Sequence, residues 1–175
     1  MLLDAGMDTG PTLLRREVPI GPEETGGSLH DKLAPVAAEL LVETLAGLAA
    51  GTITPQPQDN AQATLAPMLT KGDARIDWRR PAAVLARRLR AFNPWPGSFT
   101  VLNGETLKVI AARAEEYRGK AETPGLVLAC EREGILVAAG AGALRLLEIQ
   151  PPGKRPMPAC AWLAGHCLEP GTRFD

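Results

Sequence analysis

From residue 98 onward the apolar residues fall in short alternating runs set off by glycine-containing turns, and this restricts the second half of the chain to small antiparallel sheet folds. Ser98–Leu102 and Glu105–Ala114 flank Asn103-Gly104, a two-residue hairpin signal. Leu126–Cys130 and Ile135–Ala139 flank a charged turn containing Gly134, and Leu144–Gln150 follows Gly140-Ala141-Gly142. Five short strands so arranged predict a small barrel of the OB type. The proline-rich loop 151–156, a short helix over Pro158–Ala164 and a tail complete the chain.

The first half has a different period. Leu29, Leu33, Val36, Leu40, Leu41, Leu45 and Leu48 recur at three- and four-residue spacings, which predicts a helix over 28–50 with one apolar face. That face is expected to pack on a sheet. Ser28 with Asp31 resembles a capping box, Pro35 is expected to kink or split the helix, and Gly51 is a plausible stop. Residues 1–20 read as strand, turn-rich loop and strand, with Pro19 placing the second strand at an edge. Residues 52–73 have linker composition. A second unit starts near Ala74, with a helix from Pro81 through Phe92 that buries Val84, Leu85, Leu89 and Phe92. Arg88 lies near that stripe and is expected to snorkel. The fold class expected is α+β.

Charge separates the same regions. Residues 1–69 hold three basic and nine acidic side chains, residues 70–120 eleven and five, and residues 121–175 five and six. A positive middle beside an acidic first third suggests two units with different partners, one of them polyanionic. The 175-residue chain is 45% hydrophobic with a net charge of −1, which excludes disorder throughout. No apolar run is long enough to span a membrane, so no membrane role is expected. Cys130, Cys160 and Cys167 form no CxxC and are odd in number, so a reducing, cytoplasmic setting is the expectation. Neither histidine has a metal-ligand partner at the right spacing, and no metal is expected.

Two clusters could carry chemistry. Asp4 and Asp8 sit among Gly6 and Gly10, where glycine allows close approach of a ligand. A carboxylate there could orient a water or take a proton; it could equally cap its own turn. The second cluster is basic: Lys71, Arg75, Arg87, Arg90, Lys154 and Arg155, with Arg79 and Arg80 near Trp78 and Trp95. Basic side chains with aromatics on an OB-like barrel suit RNA contact, against a solvated helix face with core tryptophans. Trp95, in a Pro-Trp-Pro corner, fits the core reading.

Five stretches together resemble the methionyl-tRNA formyltransferase family. They are Met1–Pro11, Ser28–Leu33, Ala74–Trp78, Arg90–Gly97 and Gln150–Met157, in family order. The resemblance implies the C-terminal remnant of a Rossmann-like formyltransferase domain over 1–51, a linker over 52–73 and an OB-like tRNA-binding barrel over 74–175. It implies transfer of a formyl group from 10-formyltetrahydrofolate to the α-amine of initiator methionyl-tRNA, by a monomer. The family's catalytic Asp matches Asp8, and the folate-side loop matches Asp4, Ala5, Gly6, Met7 and Asp8. The family's catalytic Asn and His have no match here, so this chain alone is expected to be inactive. The implied tRNA contacts are Lys71, Arg75, Arg87, Arg90, Lys154 and Arg155. Two other readings are a noncatalytic RNA-binding OB-type module and a fragment of a nucleotide-sugar formyltransferase.

Overall fold

A computed structural model of the chain describes residues 1–117 and 123–175. They divide into two compact units, Met1–Glu24 with Ser28–Met68, and Thr25–Gly27 with Leu69–Asp175.

The first unit is built on helix α1, Gly26–Ala49. It begins two residues earlier than its periodicity suggests, so Ser28 lies inside the helix and not at its cap. Pro35 does not split it. The proline removes one donor, and the carbonyl left without it belongs to Asp31, which is exposed and can turn to water. No residue of α1 is buried; Leu33, Leu41 and Leu45, assigned by their spacing to the apolar face, are exposed. Residues 1–20 form no named strand. An extended run becomes a strand only where a neighbour continues the ladder, and here a single antiparallel bridge, Thr12 with Gln56, supplies two hydrogen bonds of 2.8 Å. Polar contacts hold the run instead: Arg16 reaches Glu39 and Glu43 at 3.3 and 2.8 Å, and the Lys32 ammonium donates to the Pro19 carbonyl at 2.5 Å.

The second unit holds the sheet. Helix α2 (Ala82–Ala91) starts immediately after Pro81 and buries Ala82, Leu85, Ala86 and Leu89, while Val84 is only half-buried. Strands β1 (Phe99–Leu102), β2 (Glu105–Glu115), β3 (Val127–Glu131), β4 (Gly134–Ala138) and β5 (Ala143–Gln150) lie within about a residue of their expected limits. Asn103 and Gly104, with φ of 50° and 83°, make the two-residue turn, and positive φ at both central positions matches the twist of the flanking strands. All pairs are antiparallel, in the order β1-β2-β5-β4-β3. Strand β2 bends at two register irregularities between Val109 and Ala112, and serves β1 with its first residues and β5 with the rest. A sixth strand, β6 (Met157–Pro158), pairs with β5 and leads into helix α3 (Ala159–Leu163).

The tail is not a loose end. Its residues bridge the two edges of the sheet. Val101 exchanges backbone hydrogen bonds with Asp175 at 3.3 and 3.0 Å, Val127 donates to Thr172 at 2.8 Å, and Phe174 donates to Gly125 at 2.8 Å. Phe174 is buried and stacks on Trp78, whose indole N–H donates to the Thr100 hydroxyl at 2.9 Å. Ile135, Val137, Leu144, Leu146 and Ile149 fill the barrel centre with no exposed surface. Trp95, expected in the core, is more than half exposed. Its corner is set by cis bonds before Pro94 and Pro96.

Candidate functional site

In the first unit the opening loop is organised by Asp4. Its carboxylate accepts from the Gly6 amide at 3.0 Å and from the Thr9 hydroxyl at 2.6 Å, so Asp4 caps its own turn. The Gln58 side-chain amide donates to the Asp8 and Gly10 carbonyls at 2.9 and 2.7 Å and clasps the loop from the other side. Gly10 is buried against Leu2, where a Cβ would stand 1.8 Å from the Leu2 carbonyl oxygen. Asp8 has a φ of 56° and an exposed side chain, and its carboxylate has no hydrogen-bond partner among the described residues. Ala5, Gly6 and Met7 are also exposed. The loop therefore presents a hydrogen-bonded backbone with one free carboxylate.

In the second unit the cations sort into two kinds. Arg79 is tied to Asp77 at 2.7 Å, and that hydrogen bond holds the Asp77 carboxyl below its usual range. Arg113 and Arg145 are held by glutamates. Arg88 donates to the Asp73 carbonyl at 3.1 Å and lies 4.8 Å above the Phe92 ring, so its guanidinium is held by the protein. By contrast Lys71, Arg75, Arg87, Arg90, Lys154 and Arg155 make no side-chain hydrogen bond or ion pair to any described residue. All are exposed except Arg90, which is half-buried.

Local structure fixes the backbone beneath two of these. Lys71 opens a tight turn, Lys71–Ala74, locked by Thr70: its amide and hydroxyl donate to Asp73 at 2.8 and 2.7 Å, and they hold the Asp73 carboxyl below its ordinary value. Lys154 ends a β-turn in which its amide donates to the Pro151 carbonyl at 3.1 Å. Pro152 followed by Gly153 at φ 66° is the type II arrangement. The Gln150 side chain donates to the Lys154 carbonyl at 2.9 Å and closes the loop.

Arg75 borders two clefts, one of about 530 Å³ that also takes in Arg79 and Arg173, and one of about 150 Å³ that also takes in Arg80 and Arg88. Sequence reasoning missed Arg173, because it lies in the segment read as a plain tail. Among the described residues no three His, Cys, Asp or Glu side chains gather as a metal site, and no helix is long and apolar enough to cross a membrane.

Comparison with known proteins adds a family. The family model described as "Formyl transferase, C-terminal domain" matches residues 68–167. A methionyl-tRNA formyltransferase of Stutzerimonas stutzeri is 52% identical over 157 residues, which cover 90% of this chain and 49% of that protein. One from Heliobacterium modesticaldum is 43% identical and covers 99% of this chain and 57% of its own length. The chain thus spans about half the length of the curated relatives it matches. Among solved structures, HypX from Aquifex aeolicus in complex with tetrahydrofolic acid superposes with a TM-score of 0.60 at 20% identity, over 97% of this chain and 32% of that one, which is a likeness of fold.

Proposed function

The chain belongs to the formyl transferase C-terminal domain family, and from that premise we propose that it is the tRNA-holding part of a methionyl-tRNA formyltransferase. In this reading the whole enzyme moves a formyl group from 10-formyltetrahydrofolate to the α-amine of initiator methionyl-tRNA. The barrel unit holds the tRNA backbone through Lys71, Arg75, Arg87, Arg90, Lys154 and Arg155. The loop from Asp4 through Ala5, Gly6 and Met7 to Asp8 lies beside the folate. Asp8 orients and charge-stabilises the catalytic histidine of the complete site, and so helps activate the amine. The setting is the cytoplasm and the working form a monomer.

One observation supports the reading above the others: Lys71, Arg75, Arg87, Arg90, Lys154 and Arg155 lack carboxylate partners among the described residues, as do Arg88, Lys108, Arg132 and Arg173, whereas Arg79, Arg113 and Arg145 have them. An unpaired exposed cation is free to take a phosphate and release its counterion; a paired one must first give up its carboxylate. Each phosphate contact contributes about 0.7–0.9 to the slope of log affinity against log salt. Replacing Lys154 and Arg155 together by Ala is therefore expected to lower that slope by roughly 1.5 units in tRNA filter binding. An unchanged slope and affinity would remove this loop from the tRNA contact. Full loss of salt dependence in the wild-type chain would remove the polyanion reading altogether.

A further inference from the structure

An apolar concavity of the barrel unit lies between the tip of the β1–β2 hairpin, the 151–157 loop and α3, with a volume of about 450 Å³. That is the size range of small-molecule sites, about 300–1,000 Å³. Leu102, Leu107, Met157 and Trp162 wall it. His166 stacks on Trp162 with centroids 4.5 Å apart and planes 14° from parallel. The His166 ring therefore lies over one face of the Trp162 indole, the indole buried and His166 exposed, and the stacked pair forms the aromatic side of the cavity.

Its polar groups are few and differ in kind. Lys154 carries an unpaired cation on a loop already fixed by the Pro151 turn and the Gln150 clasp. Glu105 and Thr106 add a carboxylate and a hydroxyl from the hairpin. His166 Nδ1 lies 2.9 Å from the Trp162 carbonyl. A carbonyl only accepts, so Nδ1 carries a proton and Nε2 faces away from this bond. A lipid tail would fill the apolar wall and leave these groups unused. A bare phosphate would use Lys154 and leave the wall exposed. A nucleotide uses both.

We propose that this cavity receives one unstacked nucleobase of an RNA strand, with the adjoining phosphate on Lys154. The proposal rests on the tRNA reading above and names where that strand is gripped by something other than charge. The base packs against the stacked Trp162–His166 pair, and an exocyclic amine donates to the Glu105 carboxylate, as amino groups of bases do to acidic side chains elsewhere. Cytosine and adenine are therefore preferred to uracil, which has no such amine.

The test is a titration of the 175-residue chain followed by the indole N–H signal of Trp162 in proton–nitrogen NMR, assigned by its loss in Trp162→Phe. The probes are CMP, AMP, UMP and inorganic phosphate. A saturating shift with CMP and AMP is expected, at least threefold tighter than with UMP, with no response to phosphate. Ala161 lines the cavity from an exposed position on α3, so Ala161→Trp fills the space without disturbing the core and is expected to abolish the response. A shift that never saturates, UMP equal to CMP, or an unchanged response in Ala161→Trp overturns the proposal. Loss of one base stack is worth about 5- to 100-fold in affinity, and Ala161→Trp is expected to weaken tRNA binding by that factor. Equal tRNA binding by both proteins with no CMP response overturns the pocket and leaves the tRNA reading standing. A CMP response with no tRNA binding by either protein overturns the tRNA reading, and with it the strand as the source of the nucleotide.

Discussion

Replacing Arg145 by Met should destabilise the barrel unit in a pH-dependent way. Arg145 lies on β5 directly opposite Arg113 on β2, a like-charge pair that would ordinarily weaken a sheet. Glutamates resolve the conflict. Glu115 accepts from Arg145 in a bidentate pair at 2.6 and 2.9 Å and from Arg113 at 2.8 Å, and Glu131 accepts from Arg145 at 2.9 Å. Only 7% of the Arg145 side chain and 23% of that of Glu115 are exposed. The Arg145 hydrogen bonds, opposed by desolvation and aided by Arg113, bring the Glu115 carboxyl from 4.5 down to about 2. A depression of that size corresponds to about 3 kcal/mol when fully expressed. Screening at the solvent-facing side, and the share that belongs to Arg113, reduce the Arg145 part to about 2 kcal/mol. Because the folded-state value is the lower one, this stability is present above pH 4.5 and is lost as pH falls towards 2. Urea titrations can be followed by tryptophan fluorescence, since Trp78, Trp95 and Trp162 all belong to the barrel unit. The wild type should lead Arg145→Met by about 2 kcal/mol at pH 7, and the gap should narrow steadily between pH 4.5 and 2. A gap under about 0.5 kcal/mol at pH 7, or one that does not change with pH, would refute the argument.

Three further outcomes are expected. Gly134 has a φ of 124°, and a Cβ there would stand 2.1 Å from the Leu146 carbonyl oxygen, so Gly134→Ala should cost about 2–4 kcal/mol in the same urea titration. Removing residues 171–175 uncovers Val101 and Val127 at the two sheet edges, and their amides should lose most of their hydrogen-exchange protection while those of β5 keep theirs. In the intact chain α1, which buries no side chain, should exchange faster than β4 and β5, most of whose residues are buried; equal protection would contradict the burial pattern as the cause.

The barrel was legible because its signals are local. Alternation, Asn103-Gly104 and Gly134 depend on neighbours within a few residues, and β1 to β5 lie close to where they point. What failed was pairing at a distance. Residues 1–20 carry enough apolar and extended character for two strands, yet strand formation is decided by a partner, and the partner found is Gln56 alone. The tail shows the converse. Leu168 to Asp175 holds too few apolar residues in sequence to read as an element, but Phe174 fits behind Trp78 and the backbone around it completes both edges of the sheet. Trp95 misled for a related reason: two flanking prolines fix its backbone without saying which side of it faces the core.

The candidate site divides along the same line, and the division decides how a charge count should be used. Residues 70–120 hold eleven cations against five carboxylates, and that excess drew attention to a polyanion. The count does not separate Arg79, cancelled by Asp77 two residues away, from Arg75, which is free. It also misses that Glu115 cancels Arg145 from another strand, thirty residues on. Once paired cations are set aside, those left among the described residues come from segments far apart in sequence: Lys71 and Arg75, α2, Lys108 on β2, Arg132, the 151–155 loop and Arg173. A phosphate backbone samples only the free ones. The prediction that carries weight is therefore a contrast: Arg75→Ala should reduce the salt slope of tRNA binding by about one phosphate's share, and Arg113→Ala should leave it unchanged. Equal effects from the two would mean that long-range field, and not the pairing state of individual arginines, governs the interaction.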